Sequence, residues 1–249
     1  MFHHRKGLVA DWEQIAAAEL TAWDVFSPDE HEELAAAADW LLRHKHWEAA
    51  HGFELDDEIV TTLSLLAAIP VLALDVDHYR EVSAIIVYPT TIASHGTYAG
   101  PVRGTVTDGV IPVLGQAHER RGPVLLAWDD ARHAAHHPGR GRNVVFHEFA
   151  HKLDMLDDLS DGTPPLEFPE QRARWVEVCT AAYDALRAGH DVVPLDPYGA
   201  VSVAEFFAVA TEAFFDAPVK LAEHQPDLYE VLRGFYKQDP ATRARRAVG

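Results

Sequence analysis

The sequence predicts an α+β fold on three observations: helical patterning through the first third of the chain, short β-rich runs between Val82 and Trp128, and helical patterning again from Asn143 onward. The first helix is "SPDEHEELAAAADWLLRHKHWEAA", which opens at Ser27 with Pro28 in the first helical position and acidic residues in the first turn. Leu34, Trp40, Leu41 and Trp47 give it one apolar face. "LDDEIVTTLSLLAAIPVLAL" predicts a second helix, N-capped by Asp56 or Asp57, stopped before Pro70 and apolar enough to be buried. "SAIIVYP", "GVIPVL" and "GPVLLAW", punctuated by Gly and Pro, read as strands of a small mixed sheet. "DDARHAAHHPGRGRN" and "DGTPPLEFPEQ" read as polar loops, neither long enough for a domain linker. One domain over residues 1–249 follows: a helical N-terminal region (1–80), a part carrying the sheet and the later helices (81–240), and a flexible tail (241–249).

Composition narrows the function classes. The 249 residues are 48% hydrophobic with no long apolar run, enough for a sizeable core and too little for a membrane span, which needs about 20 consecutive apolar residues. The net charge of -18, from 21 basic and 39 acidic residues, argues against nucleic acid and anionic membranes as partners, because both require clustered Lys and Arg. "MFHHRKGLVADWEQ" lacks the apolar segment of a signal peptide, so a cytoplasmic location is expected. Cys179 is the single cysteine, expected as a small buried residue in the helical "RARWVEVCTAAYDALRA". It excludes an internal disulfide and a cysteine cluster, so any metal must be held by His and carboxylate.

"NVVFHEFAHKLDMLDD", residues 143–158, carries the chemistry. In a helix His147 and His151 lie about 40° apart around the axis, so their imidazoles converge on one point, with Glu148 on the flank. The arrangement is H-E-x-x-H: two neutral imidazoles suit zinc, and Glu148 is placed to take a proton from a zinc-bound water. Phe149, Leu153 and Leu156 face the other way and pack. His133, His136 and His137 have no regular ligand spacing and read as part of a solvated loop. A catalytic zinc normally takes three protein ligands, and "VSVAEFFAVATEAFFDAP" offers Glu205, Glu212 and Asp216 on one helical stripe beside Val209, with Phe207 and Phe214 opposite. The flanking positions hold no Lys or Arg, so the helix is expected to be buried and its carboxylates to need a partner or a metal. Glu205 and Glu212 point within about 20° of each other but stand about 10 Å apart along the axis, so one zinc takes only one of them. The helical period does not choose between them, although the apolar, open surround that Val209 and Ala213 give Glu212 leans towards Glu212.

These segments resemble the Mlc titration factor A family of zinc metallopeptidases, whose catalytic part is similar to that of anthrax lethal factor. The resemblance runs roughly from Phe26 to Pro240 and rests on "LDDEIVTTLSLLAAIPVLAL" with "VYP", "GPVLLAWDD", "NVVFHEFAHKLDMLDDLSDGTPPL", "DPYGA" with "AEFFAVATEAFF", and "FYKQDP". It implies a zincin-like fold with an HExxH active-site helix, one zinc per chain held by His147, His151 and Glu212, and Glu148 as general base. It further implies aminopeptidase-type hydrolysis of peptides and, in some relatives, binding of a glucose-responsive transcription repressor. A regulatory protein that sequesters such a repressor, with incidental peptidase activity, is the alternative.

Three residues and one segment keep more than one reading. Tyr198 in "DPYGA" can donate to an oxyanion, because its loop leads into the Glu212 helix, or can anchor that loop by packing. Asp154 lies on the His147 and His151 stripe and either orients a ligand imidazole or is a surface acid. With Glu212 on the metal, Glu205 either hydrogen-bonds a His ligand, holds the "DPYGA" loop or meets solvent near the helix start. "GPVLLAW" is either an edge strand that aligns an extended substrate or an interior strand.

Overall fold

The computed structural model describes residues 7–50, 52–90, 98–99, 106–107 and 121–248, the side chains of 98–99, 106–107 and 248 excepted. The "GVIPVL" run lies outside the described residues. The helices are α1 (Trp12–Glu19), α2 (Pro28–His44), α3 (Asp57–Ala68), α4 (Trp128–His136), α5 (Val144–Asp154), α6 (Pro169–Arg187), α7 (Val203–Asp216), α8 (Pro218–His224), α9 (Pro226–Tyr236) and α10 (Pro240–Val248). The strands are β1 (His46–Ala49), β2 (Ala84–Tyr88), β3 (Tyr98–Ala99), β4 (Val106–Thr107) and β5 (Val124–Ala127).

α2 begins where its sequence dictates. Ser27 Oγ accepts from Glu30 N at 3.3 Å while Glu30 Oε2 accepts from Ser27 N at 2.8 Å, which satisfies two of the first-turn amides. The helix is shorter than predicted, because Lys45 turns extended and "HWEA" becomes β1. Trp47 accompanies the change: its side chain is buried, and its indole N–H donates to the Leu41 carbonyl at 3.3 Å, which also accepts from Lys45 N at 3.1 Å.

β1, β2 and β5 form a three-stranded sheet in that order, with His46 opposite Ala84 and Ile85 opposite Val124. All three run parallel, where a mixed sheet is the sequence expectation. Parallel neighbours need a long crossover, and α3 supplies the one between β1 and β2. Asp56 caps α3 by accepting from Ile59 N at 2.8 Å, and every residue from Ile59 to Ala68 is buried. β3 and β4 pair antiparallel.

Two stretches expected to be irregular are helical. α4 takes most of the predicted "DDARHAAHHPGRGRN" loop, because Ala131, Ala134 and Ala135 form a small buried stripe. Arg132 then makes two hydrogen bonds to Glu19, at 2.9 and 3.1 Å, and His136 Nε2 lies 2.9 Å from the same carboxylate, tying α4 to α1. The expected tail is α10: Ala241 is buried, and Arg243 reaches Glu30 at 2.5 Å while lying over the Phe26 ring. No helix among the described residues is long and apolar enough to cross a membrane.

α5 and α7 pack side by side at the centre of the molecule. α5 buries Phe149 and Leu153, both 0% exposed, against the sheet side, with Tyr79 on Phe149 at 4.6 Å between ring centroids. Truncating a ring so enclosed costs about 3–5 kcal/mol. α7 is buried over almost its whole length, and Thr211 Oγ1 meets the Tyr236 hydroxyl at 2.7 Å.

Candidate metal centre

The helix that carries both histidines, α5, is set by the residue just before it. Asn143 Oδ1 accepts from Val145 N at 3.0 Å and Phe146 N at 3.3 Å, and Lys152 Nζ, buried on the same helix, donates to the Gly122 carbonyl at 3.1 Å. With Phe149 and Leu153 in the core, His147 and His151 are left facing α7. Their Nε2 atoms lie 3.2 Å apart.

α7 meets them with its first turn. Glu205 Oε2 lies 3.1 Å from His147 Nε2 and 3.6 Å from His151 Nε2, both side chains being enclosed. Among the described residues, this is the one group of three histidine, cysteine or acid side chains close enough to share a metal ion. Glu212, which the resemblance makes the third ligand, stands elsewhere. Its Oε1 takes the opposite ring nitrogen, His147 Nδ1, at 2.7 Å, and its Oε2 accepts from Asn143 N at 2.6 Å. The two glutamates therefore stand where the sequence expectation has them exchanged. α7 crosses α5 so that residue 205 reaches the Nε2 side and residue 212, two turns on, reaches the helix start.

The donor set fits zinc. Bonds of about 2.0–2.1 Å in a tetrahedron place ligand atoms about 3.3 Å apart, and the three donor separations here are 3.1, 3.2 and 3.6 Å. Two imidazole nitrogens and one carboxylate oxygen also form a common catalytic zinc set, which leaves a fourth position for a reactant.

Electrostatics favours a cation at the same point. Burial works against a charged His147, but hydrogen bonds to Glu205 and Glu212 and the charges of Glu212 and Glu148 outweigh it and raise its pKa well above the ordinary value. Burial likewise opposes ionisation of Glu205, yet hydrogen bonds to and charge on His147 and His151 hold it far below the usual carboxylate range. Glu148 is pushed up to about 7, chiefly by burial, with Glu205 and Glu212 adding to the rise and His147 and Lys152 opposing it. Three carboxylates crowd two imidazoles in a water-poor site, so positive charge there is stabilised.

Tyr198 lies in the short helical turn Pro197–Ala200, its ring centroid 6.1 Å from that of His147. Burial, then the charges of Glu205 and Glu148 and a hydrogen bond to Glu205, raise its pKa well above that of a free phenol. The hydroxyl is therefore a proton-bearing donor at neutral pH. Asp154 serves the loop that follows the helix: its Oδ2 accepts from Gly162 N at 3.1 Å and Ser160 Oγ at 3.5 Å. Gly162 has φ +73°, and a Cβ there would collide with the Val203 carbonyl at the start of α7, so that loop lies hard against the glutamate helix. His133 and His137 stack on each other at 4.5 Å on the surface, apart from the metal group. β5 is an outer strand of the three-stranded sheet among the described residues and packs on α5. Cys179 is half-buried, and burial pushes its thiol up to about 12. An apolar cavity of about 540 Å³ lies behind the metal helix, lined by Phe26, Ile69, Ala135, Phe146 and Phe215, and contains none of the three donors.

Asn143 and Asp216 matter more than their sequence context suggests. An Asn directly before an apolar helical run is a capping signal, and it was available. Asp216 accepts from Gly139 N, Gly141 N and Arg142 N, a contact between segments far apart in the chain that no local pattern announces.

Comparison with known proteins gives the family. Residues 2–237 match the family described as Glucose-regulated metallo-peptidase M90. Mlc titration factor A of Pectobacterium atrosepticum is 32% identical over 235 residues, covering 92% of this chain and 87% of the relative. That of Serratia proteamaculans is 32% identical over 244 residues, covering 96% and 90%. An uncharacterized protein of Synechocystis is 31% identical over 244 residues, covering 95% and 86%. A family match over residues 2–237, with relatives about 32% identical through nearly the whole chain, means that this protein belongs to the glucose-regulated M90 metallopeptidase family, the family of Mlc titration factor A.

Proposed function

We propose that the chain is a zinc-dependent peptidase of aminopeptidase type, working in the cytoplasm, with its metal held by His147, His151 and Glu205. The supporting observation is the convergence of two Nε2 atoms and one carboxylate oxygen at separations of 3.1 to 3.6 Å. When bound, zinc supplies Lewis acidity to a peptide carbonyl and acidifies water towards a pKa of about 7. Glu212 takes the Nδ1–H of His147, which fixes the tautomer and leaves the Nε2 lone pair facing Glu205 and His151. Glu148 accepts the proton of the attacking water and returns it to the leaving amine. Tyr198 donates from its phenol to the carbonyl oxygen as charge builds there. Peptides with a free amino terminus as substrates follow from the family resemblance. Elemental analysis of protein purified without chelators tests the metal: about one zinc per chain is expected, and absence of any transition metal would sink the proposal. A peptide-library assay then tests the substrate class.

A second function is supported by the relatives' name, which describes titration of Mlc. This chain would likewise bind a glucose-responsive repressor of that type, with or without hydrolysis. A Glu148→Gln variant that still binds the repressor while hydrolysis is lost would separate the two activities.

A further inference from the structure

The turn that leads into the metal helix also touches the loop that carries Tyr198. Asp216, the last residue of α7, is buried, and its Oδ2 accepts from Gly139 N at 3.1 Å, Gly141 N at 2.6 Å and Arg142 N at 3.3 Å. Gly141 has φ +74°, and a Cβ there would stand 3.1 Å from the Pro194 carbonyl oxygen, so the turn presses on the chain just before Asp196. The backbone of Arg142 is thereby held, and its guanidinium pairs with Asp196 Oδ2. The other carboxylate oxygen, Asp196 Oδ1, accepts from Tyr198 N at 2.8 Å. One residue further along the chain from Arg142 is Asn143, which caps α5 and donates its N–H to Glu212.

We infer that Arg142 and Asp196 are positioning residues, whose ion pair couples the Tyr198 loop to the start of the metal helix and so fixes where the phenol stands relative to His147 and Glu205. This rests on the proposed role of Tyr198. The pair links two segments that approach each other only in the folded chain. Asp216 steadies one end by its backbone, and the packing of Gly199 steadies the other: a Cβ on Gly199 would lie 3.1 Å from Leu186. The Arg142 side chain is largely exposed and that of Asp196 mostly buried. Such a pair adds little to global stability, but a small displacement of a hydrogen-bond donor is felt in turnover.

The test compares Arg142→Ala, Asp196→Asn, the double variant and Arg142→Lys with the wild type, all zinc-loaded, on an alanine p-nitroanilide probe. Asp196→Asn keeps an acceptor for Tyr198 N and loses the ion pair. Each of these two single variants is expected to lower kcat about three- to fivefold, the size of a partly exposed ion pair, with KM and zinc content unchanged. The double variant should be no worse than either single one, and Arg142→Lys should recover most of the rate. Hydrogen exchange of the 195–201 segment in metal-free protein reads the same contact without turnover, and Arg142→Ala should exchange faster there. Unchanged exchange in Arg142→Ala overturns the coupling, as do additive losses in kcat. If Tyr198→Phe lowers kcat while Arg142→Ala and Asp196→Asn do not, the coupling fails and the role of Tyr198 stands. If Tyr198→Phe has no effect, the role of Tyr198 fails and takes the inference with it.

Discussion

Glu212 Oε1 accepts from His147 Nδ1 at 2.7 Å, which turns the other nitrogen of that ring towards Glu205 and His151. One imidazole is thus held between two carboxylates from the same helix, two turns apart, and the two carboxylates have different work. A carboxylate on the far nitrogen fixes ring orientation and tautomer, whereas in the proposed site the near carboxylate is the one that would bind the metal.

Zinc affinity should separate these roles. Glu205→Ala removes one of three donors and is expected to weaken zinc binding by orders of magnitude, whereas Glu212→Ala removes an orienting hydrogen bond and should cost about 10- to 100-fold. Competition with a calibrated chelator measures both. A larger loss for Glu212→Ala would restore it as the ligand.

Glu148→Gln should fold and hold zinc normally but lose hydrolysis by about 10²–10⁴-fold, since the amide fills the same space and cannot accept the proton. The variant is assayed for zinc content and for turnover of the same peptide probe. Near wild-type turnover would remove Glu148 from the chemistry.

Tyr198→Phe should lower kcat by about 10²–10³-fold with KM and zinc content little changed, because the phenol donates to charge that exists only in the transition state. Steady-state kinetics with metal analysis on one preparation checks it. Unchanged turnover returns Tyr198 to a packing role.

Asp154 makes stability depend on pH. Burial pushes its carboxyl up to about 7, with Asp161 and Asp157 adding to the rise and the Gly162 N–H opposing it. The folded protein therefore holds a proton that the unfolded chain has already released above its ordinary value near 4, so stability falls as pH rises from about 4 to about 7. Asp154→Asn keeps the acceptor for Gly162 N and removes the titration. Thermal unfolding of metal-free wild type and variant at pH 5 and pH 8 should show the wild type losing more stability than the variant on going to the higher pH. Parallel curves would mean that Asp154 is already ionised at pH 5.

The sequence by itself determined what is local. Pairing of His147 with His151, the flank position of Glu148 and the inward turn of Phe149 and Leu153 all follow from one helical period, and α5 has that geometry. Capping at Ser27 and Asp56, and the burial of α7, were legible for the same reason: each depends on residues within a few positions of one another. "HWEA" and "DDARHAAHH" were harder, because a strand needs a neighbour and a short alanine stripe needs a surface to cover. Which of Glu205 and Glu212 stands beside the two Nε2 atoms was beyond the sequence. Their directions on α7 differ by only about 20°, and the choice turns on where along its length α7 crosses α5. That crossing point is set by packing between helices, as are the Asp216 clamp on the Gly139–Arg142 turn and the Arg142–Asp196 pair. The period of a helix fixes which way a side chain points around its own axis; only the folded core decides what stands in front of it.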